Sequence, residues 1–339
     1  MIEKIPFIIA EMSGNHNQSL ERALAIVDAA ADAGVDAVKI QTYTADTMTI
    51  DIDTGEFFIS DKDSLWKGET LYHLYEKAHT PWEWHTAIFE RCKERGIMGF
   101  STPFDDTSVD FLEDLGVPCY KIASFENVDL PLIRKVARMG KPIIASTGMT
   151  TVAELSDLVQ TVRENGCTDL TLLKCTSSYP ASPEGTNLRT IPHMRELFGC
   201  AVGLSDHTLG IGAAVASVAL GATVIEKHFT LSRAEGGFDA AFSLEPAEMA
   251  QLVRECRTAA LALGAVSYER AEQEQKSLQF RRSLYVVEDM KAGDVFTEKN
   301  LRRIRPGRGL SPKYYDIILG KKANCNITRG TAVQWDLIE

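Results

Sequence analysis

The 339-residue chain lacks long apolar runs and the short motifs that identify several common protein classes. No stretch approaches the 18 or more apolar residues that a membrane-spanning helix requires. The N-terminal stretch MIEKIPFIIAE has only a short apolar run and no small-residue cleavage site, so we do not expect a secretory signal peptide. No GxGxxG or CxxC motif occurs, which disfavours a dinucleotide-binding turn and a zinc ribbon.

Cysteine is scarce, scattered and odd in number. Such usage is typical of reduced thiols that fill space in the core of a cytoplasmic protein, so no disulfide framework is expected. The seven cysteines are Cys92, Cys119, Cys167, Cys175, Cys200, Cys256 and Cys325.

Positive charge is also in deficit, with 36 Lys and Arg against 47 Asp and Glu and a formal net charge of −11. Because no stripe of Lys or Arg offsets that charge, nucleic acid is not an expected partner. An anionic small molecule would need a locally cationic pocket. The composition is otherwise that of a globular protein long enough for one large and one small domain.

What the chain does contain is a repeat, from residue 5 to about 230, of short apolar segments that alternate with amphipathic helical segments. Continuous apolar runs are typical of parallel strands covered on both faces. Eight such units predict a (β/α)8 TIM barrel, whereas a doubly wound sheet would more usually have five or six strands and a glycine-rich turn. The predicted strands are residues 6–10, 37–42, 98–102, 119–124, 142–147, 170–176, 200–205 and 223–229.

Two predicted helices begin with capping signals. Thr80 is predicted as an N-cap, followed by Pro81 at the first helical position and Glu83 as the third member of a capping box. Thr151 and Glu154 repeat this pattern before the helix that ends near residue 166.

Two segments depart from the repeat. Residues 43–80 form a connection too long for a simple turn, and we interpret it as a lid or substrate wall, with a surface excursion as the alternative. Beyond residue 264 the chain becomes rich in Glu and Gln and then in short strands and turns. The sequence therefore predicts a barrel over residues 1–264, a linker over 265–282 and a small domain over 283–339.

Polar side chains cluster at the carboxyl ends of the predicted strands, where barrel enzymes place their chemistry. Lys39 and Gln41 are two residues apart, so both should point the same way, and the same holds for Glu226 and His228. A lysine inside a barrel needs an anionic partner. This arrangement predicts a site for phosphate and carboxylate groups; internal ion pairs with Glu11 or Glu226 are the alternative. The ring comprises Glu11, Lys39, Gln41, Thr102, Lys121, Ser124, Ser146, Thr147, Lys174, Cys175, Thr176, Ser177, Ser205, Asp206, His207, Glu226 and His228.

Two histidines, His207 and His228, end neighbouring predicted strands and are candidate ligands for a divalent metal. Asp206, Glu226 or Asp239 could add a ligand or orient one. Hydrogen-bonded histidines without a metal remain the alternative. The other histidines considered, His73, His79, His85 and His193, are predicted on loops or helix surfaces.

The stretches that carry these residues resemble the sialic acid synthase family over essentially the whole chain. They include IIAEMSGNHNQSL, DAVKIQTYTADTM, CYKIASFE, LLKCTSSYP, VGLSDHT, ALGATVIEKHFTL and IRPGRGL. The resemblance implies a TIM barrel followed by a small antifreeze-like (SAF) domain. It also implies a metal-dependent condensation of phosphoenolpyruvate with an amino sugar to a nine-carbon 2-keto acid. Within the family, GNHNQS, TPWEWH and FRRSLY most resemble the branch whose members use 2,4-diacetamido-2,4,6-trideoxy-L-altrose, and this resemblance implies the release of pseudaminic acid and phosphate.

The resemblance further implies roles for individual residues. Glu11 would be an acid/base, His207 and His228 would bind Mn²⁺ or Mg²⁺, and Arg305 would contact the acetamido group of the sugar across a domain-swapped homodimer. Gln41, Tyr179, Asp239 and the long connection would meet the sugar. The residues implied to hold phosphoenolpyruvate are Lys39, Thr102, Lys121, Ser124, Ser177 and Ser205, although family members that make N-acetylneuraminate often have asparagine in place of Ser177.

Three alternatives remain open at the level of sequence. The acceptor could be an amino sugar that leads to N-acetylneuraminic or legionaminic acid. The chain could be a barrel aldolase that forms a Schiff base on Lys121 or Lys174. It could also be a carbohydrate-binding protein without activity. Under any of these alternatives, the small domain could serve solubility or dimerisation alone.

Overall fold

A computed structural model describes residues 5–60 and 66–339 of the chain. The chain divides into two compact units, Met1–Gly264 and Ala265–Glu339. Residues 1–4 of the N-terminal stretch and residues 61–65 of the predicted lid lie outside the described residues. Among the helices that are described, none combines the length and the apolar character needed to cross a membrane.

Eight parallel strands close into a barrel in the first unit, in the order of the sequence, so the TIM barrel prediction is confirmed. Each strand begins and ends within two residues of its predicted bounds. The closed order rules out the doubly wound open sheet. The strands are β1 (Phe7–Glu11), β2 (Ala37–Thr42), β3 (Met98–Pro103), β4 (Tyr120–Ile122), β5 (Ile143–Ser146), β6 (Leu170–Cys175), β7 (Ala201–Asp206) and β8 (Val224–His228).

Helices alternate with the strands, and the main hydrophobic core lies between the two layers. Apolar residues at helical spacing, such as Ile26, Val27 and Ala30, are fully buried against the strands. The helices of the unit are α1 (Leu20–Asp32), α2 (Ala45–Met48), α3 (Leu71–Ala78), α4 (His85–Glu94), α5 (Asp106–Asp114), α6 (Leu130–Arg138), α7 (Val152–Glu164), α8 (Thr190–Phe198), α9 (Gly212–Ala219) and α10 (Pro246–Leu263).

The inside of the barrel is stacked in layers, because alternate residues of every strand point inward. One layer, nearer the amino ends of the strands, is apolar and buried. The next inward position along several of the same strands is polar, so Ile9 is followed by Glu11 and Val224 by Glu226. The apolar layer consists of Ile9, Ala37, Phe100, Cys119, Ile144, Leu173 and Val224, with Phe7 and Met98 packed against it.

The two capping predictions have opposite outcomes. The Thr151 hydroxyl accepts a hydrogen bond from Glu154 N, and the Glu154 carboxylate accepts one from Thr151 N, so this box is confirmed. The box predicted at Thr80 is wrong: Pro81 is extended, at ψ 131°, and α4 begins only at His85 after a 3₁₀ turn, Trp82–Trp84. The buried Thr80 hydroxyl lies 3.3 Å from His16 Nε2, so a tertiary contact replaces the local cap.

Two buried histidines hold the ends of the long connection, so the prediction that His85 lies on a surface is wrong. His85 Nε2 lies 2.8 Å from the Thr42 hydroxyl at the end of β2. His16 stands edge-on to Trp84 at 5.6 Å. Burial lowers the pKa of both imidazoles to about 4, so both are neutral near pH 7.

A turn after β1 fixes the far end of the same connection. Asn17 and Gln18 both adopt positive φ, 49° and 55°, which is uncommon for residues with a side chain. The Gln18 side-chain amide donates hydrogen bonds to the carbonyl oxygens of Lys77, at 2.9 Å, and His79, at 2.7 Å. The turn therefore holds the last residues of the connection beside β1.

The second unit has a core of its own. Strands β9 (Ser283–Val286) and β10 (Leu301–Ile304) pair antiparallel, and a single-turn helix, α11 (Tyr315–Ile318), follows. A 3₁₀ helix, Glu272–Phe280, precedes β9. The buried cluster is small, as expected for so few residues, and comprises Leu284, Val286, Met290, Phe296, Leu301, Ile318, Ala323, Ile327 and Val333.

Candidate active site

Four ionisable side chains meet inside the barrel near the carboxyl ends of its strands. Lys39 Nζ lies 2.5 Å from Glu11 Oε2 and 4.0 Å from Glu226 Oε1. Lys121 Nζ lies 3.5 Å from the same Glu226 oxygen. The side chains are at most 6% exposed. The internal ion pairs that the sequence left open are therefore present, and Glu226 serves both lysines.

Burial and mutual attraction set the protonation of this group. Burial raises the pKa of Glu11, and the neighbouring Lys39 only partly offsets it. Burial also opposes charge on Glu226, but Lys121 and Lys39 outweigh it and lower the pKa of this carboxyl. Burial lowers the pKa of Lys121, whereas Glu11 and Glu226 together raise that of Lys39 in spite of its burial. The network thus favours an ionised Glu226 between two cations.

Neutral polar groups orient the charged ones. The Gln41 amide donates to Glu11 Oε1 at 2.9 Å and to the Ser13 hydroxyl at 3.0 Å. Lys39 donates to the Thr102 hydroxyl at 3.1 Å, and Lys121 donates to that of Ser146 at 2.7 Å. Each lysine is therefore held by a carboxylate and a hydroxyl, with further donor capacity for an anion.

Hydroxyl groups crowd around one glycine beside this network. Gly148 N donates to the Ser124 hydroxyl at 3.1 Å. A side-chain carbon added at Gly148 would lie 2.1 Å from Ser177 Oγ and 2.7 Å from Ser124 Oγ. The Ser205 hydroxyl, on β7, lies 3.4 Å from Glu226 Oε1. Any side chain at position 148 would displace both serine hydroxyls, and glycine leaves them room.

The two histidines predicted as metal ligands are neighbours, with ring centroids 5.4 Å apart. His207 Nδ1 lies 2.9 Å from the Thr176 carbonyl oxygen and donates to it, which leaves the lone pair on Nε2. His228 Nδ1 is buried without a hydrogen-bond partner, 3.8 Å from Asp239 Oδ2. Burial is the largest cause that lowers the pKa of His228, well below its usual value, so this ring is neutral.

These two rings fit a divalent metal. An oriented imidazole whose other nitrogen donates to a carbonyl is a common arrangement of metal ligands, and the unpartnered nitrogen of His228 supplies a second lone pair. Within residues 5–60 and 66–339 no three His, Cys, Asp or Glu side chains converge on one metal position.

Aromatic and acidic residues wall the space around the imidazoles. The Tyr179 ring lies 4.4 Å from that of His207, and the Phe242 ring lies 4.9 Å from that of His228. Asp239 is buried, and burial raises its pKa. Tyr179 and Asp239, both named from the sequence, thus lie with the imidazoles, whereas Phe242 was not foreseen.

Sequence reasoning also missed Glu126, in the loop after β4. One of its carboxylate oxygens is buried without a hydrogen-bond partner, and burial raises its pKa to about 7 against the opposing effect of Lys121. Its only signal was a carboxylate two residues beyond Ser124. The sequence named Glu226 as a strand-end residue and as one possible ion-pair partner of the lysines, but it did not predict that this carboxylate joins both.

Two other candidates lie outside this group of side chains, and a third belongs to the second unit. Asp206 binds Lys227 on the outer face of the barrel and does not approach the imidazoles as a ligand. Lys174 is out of phase with Leu173 and Cys175 on β6, and its ammonium donates to the Cys175 carbonyl oxygen. Arg305 belongs to the second unit, where it is exposed next to β10.

Comparison with known proteins places this arrangement in context. A profile of the NeuB family matches residues 26–268, and a profile of the SAF domain matches residues 281–339. The chain is 46% identical over 332 residues to the pseudaminic acid synthase of Campylobacter jejuni strain 81-176, covering 98% of this chain and 96% of that protein. It is 42% identical to the pseudaminic acid synthase of Helicobacter pylori, covering 98% of each.

A solved structure is similar as well. The N-acetylneuraminic acid synthetase of Leptospira borgpetersenii, crystallised with citrate, superposes with a TM-score of 0.71 at 32% identity. The match covers 81% of this chain and 91% of that one. Sequence and architecture therefore agree on the same group of proteins.

Proposed function

This chain belongs to the NeuB family, and from that premise we propose that it catalyses the reaction of a pseudaminic acid synthase. Phosphoenolpyruvate condenses with 2,4-diacetamido-2,4,6-trideoxy-L-altrose, water is consumed, and pseudaminic acid and phosphate are released. The observation that carries this proposal is the buried network of Glu11, Lys39, Lys121 and Glu226 beside the His207–His228 pair.

Phosphoenolpyruvate binds at the cationic side of the mouth. Lys39 and Lys121, with the hydroxyls of Thr102, Ser124, Ser177 and Ser205, provide donors for its phosphate and carboxylate. Because these donors are held in place before the ligand arrives, they stabilise charge as it moves during the reaction. Glu226 keeps the lysines ionised although they are buried.

The sugar lies across Gln41, Tyr179 and Asp239, with its open-chain aldehyde at the imidazoles. His207 and His228 would hold a divalent metal, Mn²⁺ or Mg²⁺, whose chemistry there is Lewis-acid activation of the aldehyde oxygen. The protein fixes the two carbons that react, so that C3 of phosphoenolpyruvate bonds to the aldehyde carbon and the former carbonyl oxygen takes up a proton.

Water then completes the reaction at C2 of the former phosphoenolpyruvate. It adds to the cationic carbon and loses a first proton. The tetrahedral adduct then expels phosphate by cleavage of the C–O bond, and the proton of the new hydroxyl leaves with the phosphate, so that the 2-keto group remains. Glu11 takes the first proton, since burial raises the pKa of this carboxyl and so favours proton uptake, and the hydrogen bond from Gln41 orients it. Glu126, with a pKa of about 7, is a second acid/base candidate for the sugar.

The second unit completes the site in a domain-swapped homodimer, with Arg305 on the acetamido group of the sugar bound by the other subunit. The run of exposed arginines at Arg302, Arg303 and Arg305 supports this role. Residues 265–282 link the barrel to the unit over 283–339. The enzyme works in the cytoplasm, in keeping with seven unpaired cysteines.

The test is to incubate the purified enzyme with phosphoenolpyruvate labelled with ¹⁸O in the bridging position. We expect phosphate release only with an amino-sugar acceptor, with the label in phosphate and with the altrose derivative preferred over N-acetylmannosamine. Label retained in the keto acid, or equal turnover of the two acceptors, would contradict the proposal. The amino sugar that leads to legionaminic acid is the third acceptor in the assay, because formation of legionaminic acid is the nearest alternative.

A Schiff-base aldolase is the second candidate, and one observation bears on each lysine. Lys174 faces away from the interior, which excludes it as the Schiff-base lysine. Burial lowers the pKa of Lys121, as a Schiff-base lysine requires. Treatment with borohydride and pyruvate should leave the mass of the protein unchanged. A stable adduct on Lys121 would favour the aldolase.

A further inference from the structure

A fully buried ion pair lies on the outer face of the barrel, on the two strands that lead to the imidazole pair. Asp206 and Lys227 are register partners on β7 and β8, and neither side chain is exposed. Lys227 Nζ lies 2.7 Å from Asp206 Oδ2. Because side chains alternate along a strand, both point away from the interior that receives Glu226 and His228.

Besides joining two strands, the pair forms hydrogen bonds with the backbone of Thr208, two residues after Asp206. Lys227 donates a second hydrogen bond to the Thr208 carbonyl oxygen, and the other Asp206 carboxylate oxygen accepts one from Thr208 N at 2.9 Å. Residues 206 and 208, on either side of His207, are therefore both held by one ammonium–carboxylate unit.

Two further hydrogen bonds fix the backbone and the ring of His207 itself. Its carbonyl oxygen accepts a hydrogen bond from Ala181 N at 2.9 Å, and its ring donates to the Thr176 carbonyl oxygen. On the neighbouring strand, Lys227 directly precedes His228 in the chain. One buried pair thus lies next in sequence to both imidazoles, although it touches neither ring.

We propose that the Asp206–Lys227 pair is a positioning device that fixes the separation of His207 and His228 for the divalent metal. This inference rests on the proposed function only in taking the two imidazoles as metal ligands. A buried ion pair is weak evidence for stability, since apolar residues often replace one without loss. Apolar residues could not form hydrogen bonds with both the carbonyl and the amide of Thr208. These two hydrogen bonds are the specific contribution of the pair.

The test is equilibrium binding of Mn²⁺ to the full-length protein without substrates, followed by electron paramagnetic resonance. Lys227→Met should weaken Mn²⁺ binding at least tenfold, and Asp206→Asn, which keeps the shape but not the charge, should weaken it less. In turnover assays the metal concentration for half-maximal rate should rise in parallel, and excess metal should restore kcat with KM for phosphoenolpyruvate within twofold of wild type.

A double variant, Asp206→Leu with Lys227→Met, separates positioning from folding. If it melts near the wild-type temperature and still binds Mn²⁺ at least tenfold more weakly, the proposal holds; wild-type affinity in this variant overturns it. Lys141→Met is the matched control, because Lys141 pairs with Glu113 ahead of β5, at the amino end of the barrel. It should leave Mn²⁺ binding unchanged. Should His207→Ala bind Mn²⁺ as well as wild type does, the metal assignment itself is wrong, whatever the pair does.

Discussion

Two adjacent layers inside one barrel differ completely in character. The apolar layer packs Ile9, Phe100, Leu173 and Val224 with almost no exposed surface. The layer above it, one inward position further along the same strands, holds two lysines and two glutamates in contact. A step of two residues along β1 or β8 passes from one layer to the other.

The difference separates stability from chemistry along each strand. Apolar burial favours folding in proportion to the area removed from water, whereas a buried ion pair contributes little net stability. Removal of one charge nevertheless leaves its partners unbalanced in a medium of low polarity. Substitutions in the apolar layer should therefore act mainly on folding, whereas those in the charged layer should act on catalysis and, where they leave a buried charge unpaired, on folding as well.

The largest effect is expected from Glu226→Gln in the charged layer. Lys39 and Lys121 would lose the carboxylate they share, so we expect kcat/KM to fall by at least ~10³, or about 4 kcal/mol of transition-state stabilisation. Steady-state phosphate release measures it, with circular dichroism as the control for folding. A loss below tenfold would show that the balance of charge in this layer matters little.

Leu173→Ala tests the apolar layer, where we expect a loss of stability with little change in catalysis. Truncation of this fully buried side chain should lower the free energy of unfolding by roughly 2–5 kcal/mol. Urea denaturation measures the loss, and kcat/KM per folded molecule should stay within about threefold of wild type. A drop in kcat/KM comparable with that of Glu226→Gln, in protein that is still folded, would erase the distinction between the layers.

Gly148→Ala sharpens the comparison at the edge of the charged layer. The added methyl group would overlap the hydroxyls of Ser124 and Ser177, so these must move apart. We expect KM for phosphoenolpyruvate to rise by roughly tenfold to thirtyfold, about 1.4–2 kcal/mol, with a smaller effect on KM for the sugar. Equal changes in both would indicate a general distortion, and Gly212→Ala, at an open position in α9, is the control.

The smallest effect concerns Glu126 at the rim of the charged layer. Burial raises the pKa of this carboxyl to about 7 in the folded protein, so the folded state binds the proton more tightly than the unfolded state. Stability from this group is then present below pH 4.5 and is lost as the pH rises through 7. Relative to wild type, Glu126→Gln should gain about 1 kcal/mol of stability between pH 6 and pH 7. Parallel curves for the two proteins over that range would contradict the assignment.

The sequence predicted the barrel well because each strand is defined by its own apolar run. The inward pairing of Lys39 with Gln41 and of Glu226 with His228 also followed from local alternation. The contact between Glu226 and Lys121 joins β8 to β4 across the interior, and no periodicity within one strand contains that information. The roles of the site residues stay predictions until they are measured.

The errors share one physical origin. Thr80 and His85 carried good local signals for a cap and for a helix surface, but each finds a partner in another element, His16 and Thr42. Glu126 lacked any local pattern, because only the fold buries it near Lys121. Where tertiary contacts compete with local preferences, a single sequence does not show which one prevails.

The turn at Asn17 and Gln18 shows how a costly local geometry can serve a distant part of the chain. Positive φ at a residue with a side chain costs on the order of 1 kcal/mol, and glycine would adopt it freely. Glycine at position 18 would, however, leave the carbonyl groups of residues 77 and 79 without the amide that latches them. The strained turn therefore has a structural consequence: a tight bend early in the chain fixes the position of a segment about sixty residues later.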